Sequence, residues 1–355
     1  MKKRILAVIV SLTLLVLAGC GGSGSEEKET TAAETTAAET TAAETTAAET
    51  TAGDAGADTE NKNISVILMA TNSDYWHMVE AGAKIAGAEF GYNVTVIGPN
   101  SESDSVGQSN MVQDAVNNKV AAIVLAPNEP KVLVNATQYA KDADVPVIII
   151  DTNLDTDDDT LYESFIGTNN YAAGKAAAEY LIERLEPGDK VAIIRGLVGQ
   201  NQHDNRSNGA QEAFEANDIE VVAIQPADSD RGKAVNVMQN ILQNNPDLKA
   251  VYCTNDEMAL GAYQALEGMQ LQDQVLTMGF DGSFGALDSI EAGKLTGSLA
   301  QKPIDEGYLG VVAAINVIEG KPVEKNVENG FEIVDKDNVA DFKADIDSRM
   351  EEAGK

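Results

Sequence analysis

Val145-Pro146-Val147-Ile148-Ile149-Ile150-Asp151 is a run of branched apolar residues that stops on an acid. Unbroken hydrophobicity, without the in-out alternation of a half-exposed strand, marks a parallel strand covered on both faces. The same pattern recurs outward in both directions. Strands are expected at 64–69, 93–97, 121–125, 145–150, 190–195, 220–225, 250–253, 275–278 and 296–300, separated by Ala-rich amphipathic stretches. That alternation is α/β. Asp74, Ser103, Asn169 and Asn255 supply helix-starting caps, and Gly91, Asn118 and Gly268 supply stops.

In open parallel sheets ligands sit beyond the carboxyl ends of the strands, so the residues on which the strands end carry the functional information. Those residues are polar or aromatic: Ser73, Tyr75 and Trp76 after the first strand, Asp151 after the fourth, and then Asn255, Asp281 and Gln301. Carboxylate and amide tips beside aromatic faces match the hydroxyl rim and C–H faces of a sugar or polyol.

The ends of the chain differ from this body. Lys2, Lys3 and Arg4 precede a short apolar run, Ile5 to Leu17, which closes on Leu17-Ala18-Gly19-Cys20. The run is short for a mature membrane span and carries a small-residue site, as in a cleaved export signal. It resembles a bacterial lipoprotein signal, which implies that Cys20 is lipidated and begins the mature chain. Residues 21–63 follow as a low-complexity tether whose Thr-Thr-Ala-Ala-Glu repeat builds no apolar stripe. As flexible coil it would span roughly 35 Å.

The formal net charge of -32 argues against binding nucleic acid or an anionic lipid surface. With Cys20 acylated, Cys253 has no disulfide partner and reads as a small buried apolar side chain. His77 and His203 are isolated, so neither a metal nor a cofactor is expected. Asp151 to Tyr162 imitates the start of a calcium loop but has Thr156 in place of its glycine and Tyr162 in place of its closing glutamate.

Gln225-Pro226-Ala227-Asp228, Asn236 to Asn240, Asn255-Asp256-Glu257-Met258-Ala259-Leu260-Gly261-Ala262, Gly279-Phe280-Asp281-Gly282 and Ala300-Gln301 together resemble the ribose-type sugar-binding proteins of bacterial ABC importers. The similarity runs from Ile64 to about Phe342. It implies a type 1 periplasmic binding protein: two similar doubly wound parallel-sheet lobes, with crossovers near Thr168, Gln301 to Lys302 and Lys325. On that pattern 64–168 with about 302–324 form the N-terminal lobe, and 169–301 with about 325–346 the C-terminal lobe. Ile333 to Asn338 resembles instead the related glucose/galactose binders.

The resemblance implies ligand contacts at Ser73, Tyr75, Trp76, Asp151, Asn255, Phe280, Asp281 and Gln301. Thr152 stands where ribose binders carry arginine, Asp204 aligns with a second arginine, and Ser229 replaces an aromatic residue. Arg206 is retained; in the ribose binders it belongs to an Arg-x-x-Gly turn. In the glucose/galactose binders the aligned arginine touches sugar, with Gln200 and Gln202 at further ligand positions. Asp151, Asp204 and Asp281 against one nearby arginine form an acidic cleft, suited to neutral, amino-bearing or cationic ligands.

The implied function is capture of a sugar, polyol or amino sugar by a monomer and its delivery to an ABC permease and ATPase, without catalysis. A sensor presenting the closed form to a membrane receptor or kinase is the alternative. A glycosidase using Asp151 and Asp281 is a third reading, opposed by the lack of a nucleophile paired with a base.

Overall fold

The computed structural model describes residues 61–354, so the signal, Cys20 and residues 21–60 lie outside the described residues. The described body includes residues just ahead of the expected boundary at Ile64. The Asn61 side chain donates to the Lys119 carbonyl at 2.6 Å, and Asn63 already pairs with Asn93.

Among the described residues, twelve strands form two six-stranded sheets. The first contains β1 (Asn63–Ile67), β2 (Asn93–Ile97), β3 (Ala122–Leu125), β4 (Val147–Ile150), β5 (Ser164–Gly167) and β11 (Asn326–Glu328), in the order β11-β5-β4-β3-β1-β2. The second contains β6 (Lys190–Arg195), β7 (Glu220–Pro226), β8 (Leu248–Cys253), β9 (Leu276–Asp281), β10 (Gly297–Gln301) and β12 (Phe331–Asp335), in the order β12-β10-β9-β8-β6-β7. Both repeat one doubly wound topology, and only β12 runs antiparallel to its neighbour. The interior strands β3 and β4 are buried throughout, which explains their unbroken hydrophobicity.

The helices are α1 (Asp74–Phe90), α2 (Ser105–Asn117), α3 (Leu133–Asp142), α4 (Asn170–Ile182), α5 (Asn201–Ala216), α6 (Arg231–Asn244), α7 (Asp256–Met269), α8 (Phe284–Glu291), α9 (Pro303–Ile318) and α10 (Val339–Ala353). Close approach is built into two helix pairs. A Cβ on Gly82 of α1 would stand 1.8 Å from the Ile304 carbonyl oxygen of α9, and one on Gly174 of α4 would stand 2.1 Å from the Arg206 carbonyl oxygen of α5. Each sheet thus has a pair of helices in backbone contact.

The chain passes between the sheets three times: after β5, after β10 and after β11. The third passage falls at Asn329–Gly330 rather than near Lys325, because Asn326–Glu328 pairs in parallel with β5 and remains in the first sheet. β5, β11 and β12 were not expected as strands. Each is short, and β11 and β12 lie at sheet edges, so none has a long apolar run.

Other differences are local. Ser73 occupies the N-cap position of α1, with Asp74 as its first residue, and Asp104 rather than Ser103 caps α2 by accepting from Gly107 N at 2.8 Å. Gly268 does not stop α7, which ends at Met269 with Gln270 in the left-handed conformation. The C-terminal body continues beyond residue 346 as α10, which packs against α1, α8 and β12. Cys253 is fully buried in the core of the second sheet.

Candidate ligand-binding site

Asp151 and Asp281 occupy corresponding places, at the carboxyl ends of β4 and β9. Both have positive φ, 62° and 117°, a backbone state that non-glycine residues adopt only when the surroundings impose it. At Asp151 a tight turn does so: Thr152 N donates to the Ile150 carbonyl at 2.8 Å, and Asp151 N to Ile166 at 3.0 Å. At Asp281 the next turn is held by Asp256, whose buried carboxylate accepts from Ser283 N and from Ser298 Oγ, each at 2.7 Å.

Arg206 is buried between these elements. Its Nε donates to Asn170 Oδ1 at 2.7 Å, and its Nη1 donates to the Thr254 carbonyl at 3.0 Å and to Asp281 Oδ1 at 3.3 Å. The guanidinium lies 3.7 Å from the centre of the Phe280 ring. Gln301 Nε2 also donates to Asp281 Oδ1, at 2.8 Å. Phe280 itself has no exposed surface, so its ring serves as a platform for the arginine.

On the other side, the Tyr75 hydroxyl lies 3.1 Å from Asp151 Oδ1 and 3.3 Å from Glu306 Oε2. Thr152 Oγ1 donates to Asp151 Oδ2 at 2.7 Å, so the residue standing in place of an arginine still serves the acid. Trp76 packs edge-on to Tyr75 at 5.0 Å but is only 3% exposed, with Nε1 donating to Glu102 at 3.2 Å. It belongs to the core beneath the site, and Tyr75 presents the polar tip.

Burial pushes the Asp151 carboxyl up, against the Thr152 and Tyr75 hydrogen bonds and the field of Arg206. Burial raises Asp281 as well, opposed first by Arg206 and then by Gln301, while the charge on Asp151 adds to the rise. The acids from the two sheets therefore share one electrostatic environment, with Arg206 acting on both.

The remaining expected residues divide. Asn255 accepts from Met258 N at 3.0 Å and caps α7, next to the Thr254 carbonyl that anchors Arg206. Asp204 does not add a free charge to the cleft, because it forms an ion pair with Arg195. Gln200 takes the N-cap position of α5 without a side-chain cap bond, and Gln202 and Ser73 are partly exposed. Ser229 Oγ lies 3.1 Å from His203 Nε2, and His203 Nδ1 lies 2.9 Å from Thr254 Oγ1. The region missed altogether is Asn170, Glu306 and Asn329. Glu306 could have been noticed, because it shares the buried face of α9 with Gly310 and Ala313.

Residues 64–322 match the periplasmic binding protein domain. The chain belongs to the periplasmic binding protein family. The D-allose-binding periplasmic protein of Escherichia coli K12 is 34% identical over 278 residues, covering 76% of this chain and 89% of that protein. The ribose import binding protein of Salmonella typhimurium is 33% identical over 273 residues, covering 77% and 90%. Among solved structures, an ABC transporter periplasmic solute-binding protein of Actinobacillus succinogenes with bound D-allose superposes with a TM-score of 0.73 at 27% identity, covering 79% of this chain and 99% of that one. In this periplasmic binding protein Asp151 and Asp281 stand at the ends of corresponding central strands, one in each sheet.

Proposed function

We propose that this chain is an extracytoplasmic, lipid-anchored solute-binding protein that captures a neutral or cationic sugar-like ligand between its two lobes and delivers it to an ABC importer. The observation that carries the reading is the pairing of Asp151 and Asp281 around the single guanidinium of Arg206. Ionised carboxylates accept from sugar hydroxyls, while Arg206 and Gln301 donate to sugar oxygens. Two acids against one arginine leave the site negative, which disfavours phosphorylated and carboxylated sugars and tolerates an amino group. The allose and ribose binders among its relatives support the sugar class.

Binding of this kind needs no covalent step. A micromolar complex corresponds to about -8 kcal/mol, within reach of several charge-assisted hydrogen bonds less the cost of ordering the lobes. Delivery then consists in presenting the ligand-closed form to the permease.

A thermal-shift panel of pentoses, hexoses, inositols, amino sugars, sugar acids and sugar phosphates tests the reading. A neutral or amino sugar is expected to raise the melting temperature, and Asp281→Ala to weaken that ligand at least 100-fold. Stabilisation confined to sugar acids or phosphates, or unchanged affinity in Asp281→Ala, would refute it.

A further inference from the structure

The Tyr75 hydroxyl carries one hydrogen yet lies within hydrogen-bond distance of two carboxyl groups, Asp151 at 3.1 Å and Glu306 at 3.3 Å. If both were ionised, one contact would set two lone pairs against each other. A second hydrogen therefore belongs to this trio, and the surroundings decide where it resides. Asp151 is well furnished as an anion, with Thr152 donating to its other oxygen and Arg206 in its field. Glu306 is 0% exposed, its Oε1 has no protein partner, and its one other donor is Asn329 Nδ2 at 3.0 Å. An ion so placed would be heavily penalised.

Asn329 extends the chain of contacts. It lies in the third passage between the sheets, accepts from Thr168 Oγ1 of the first passage at 3.2 Å, and donates toward the Lys302 carbonyl of the second at 3.5 Å. One side chain thus touches all three connections about which the lobes can turn, and hands that contact through Glu306 and Tyr75 to Asp151.

We propose that Glu306 is a positioning residue: as a neutral acid it donates to Tyr75, fixes the Tyr75 hydrogen toward Asp151, and so couples the hinge to the ligand-accepting carboxylate. The inference rests on Asp151 accepting from the ligand. When Glu306 loses its proton, the Tyr75 hydrogen has two competing anions to serve and the link from hinge to site weakens. Burial and the charge of Asp151 both hold the Glu306 proton in place, against hydrogen bonds from Tyr75 and Asn329. The titratable groups facing it are Tyr75 from α1 and Asp151 after β4; Asp281 of β9 acts on Tyr75 and Arg206 of α5 on Asp151, and Lys302 and Asp305 are its neighbours at the start of α9. Asp305 is already paired with Arg349 of α10 at 2.6 Å.

Two measurements on the folded chain separate this idea from the function reading. The first needs no ligand: of the infrared absorption of protonated carboxyl groups at neutral pH, to which buried Asp256 also contributes, one component should be lost in Glu306→Gln and persist in Asp151→Asn. Loss of that component in Asp151→Asn instead, or a spectrum unchanged in Glu306→Gln, would overturn the assignment. The second is calorimetric titration across pH 5 to 9, using D-allose or, if that fails to bind, the strongest neutral sugar of the panel. Wild-type affinity should weaken with rising pH, by up to about tenfold per unit once Glu306 ionises. In Glu306→Gln, whose amide always has a hydrogen for Tyr75, the profile should flatten, whereas Glu306→Leu should weaken binding throughout. A profile of the same slope in wild type and Glu306→Gln would refute the coupling, even if the sugar reading stood.

Discussion

Asp151, Asp256, Asp281 and Glu306 are four carboxyl groups that burial pushes up from the ordinary carboxylate range. Each binds its proton more tightly in the folded chain than in the unfolded one. The stability it contributes is full below about pH 4 and is lost as the pH rises through its raised value. His203 runs the other way. Burial, with Arg206 and Arg195 nearby, drives it down to about 3, so its contribution is complete above about pH 6.5 and is lost as the pH falls toward 3. Between pH 8 and about 6 the carboxyl effects prevail. The melting temperature of the ligand-free protein is expected to be higher near pH 6 than near pH 8, as calorimetry would show; a steady rise from pH 6 to 8 would contradict this account. Much of the site at this scale was legible, because Asp151 and Asp281 end apolar runs. Trp76 and Phe280 were not legible as to role, since an aromatic residue at a strand end reads alike whether its face is open or, as here, buried beneath a neighbour.

The elements that hold these residues depend on close helix contacts. Gly82 of α1 faces the Ile304 carbonyl and Gly307 of α9 faces Val79, so each helix lets the other's backbone approach. Since α1 carries Tyr75 and α9 carries Glu306, this contact sets the distance between them. Gly82→Ala forces an added methyl into backbone atoms and should destabilise the protein by about 1–3 kcal/mol, read as a lowered denaturation midpoint. Stability equal to wild type would show that the helices can separate without cost. The long interior strands were evident from their composition. Edge strands β11 and β12 were not, because a three- to five-residue edge segment takes its conformation from the strand it pairs with.

For the whole molecule, the proposed lipid anchor decides how the binding body would be used. A tethered trap would hold its site near the permease at raised effective concentration, with no change in intrinsic affinity. Cys20→Ala is therefore expected to release the protein from membranes and lower uptake while leaving the dissociation constant unchanged. Retention of Cys20→Ala on membranes would remove the lipid from the account. α10, packed against both α1 and α8, also belongs to this scale. A cavity of about 350 Å³ lies between it and the start of α9, reaching Asp281 and Gln301.

The sequence by itself determined the α/β class and the acids at the strand ends, because apolar period and strand termination are local properties of the chain, while the two similar lobes followed from the resemblance to the ribose-type binders. Only the tertiary structure decided that Asp204 is neutralised by Arg195, that Trp76 is core, and that Glu306 and Asn329 join the three passages to the site. Glu306 and Asn329 are 23 residues apart, and Thr168 and Asn329 are 161 apart. Contacts across such separations form when the two sheets are assembled, and they leave no periodic trace in the sequence.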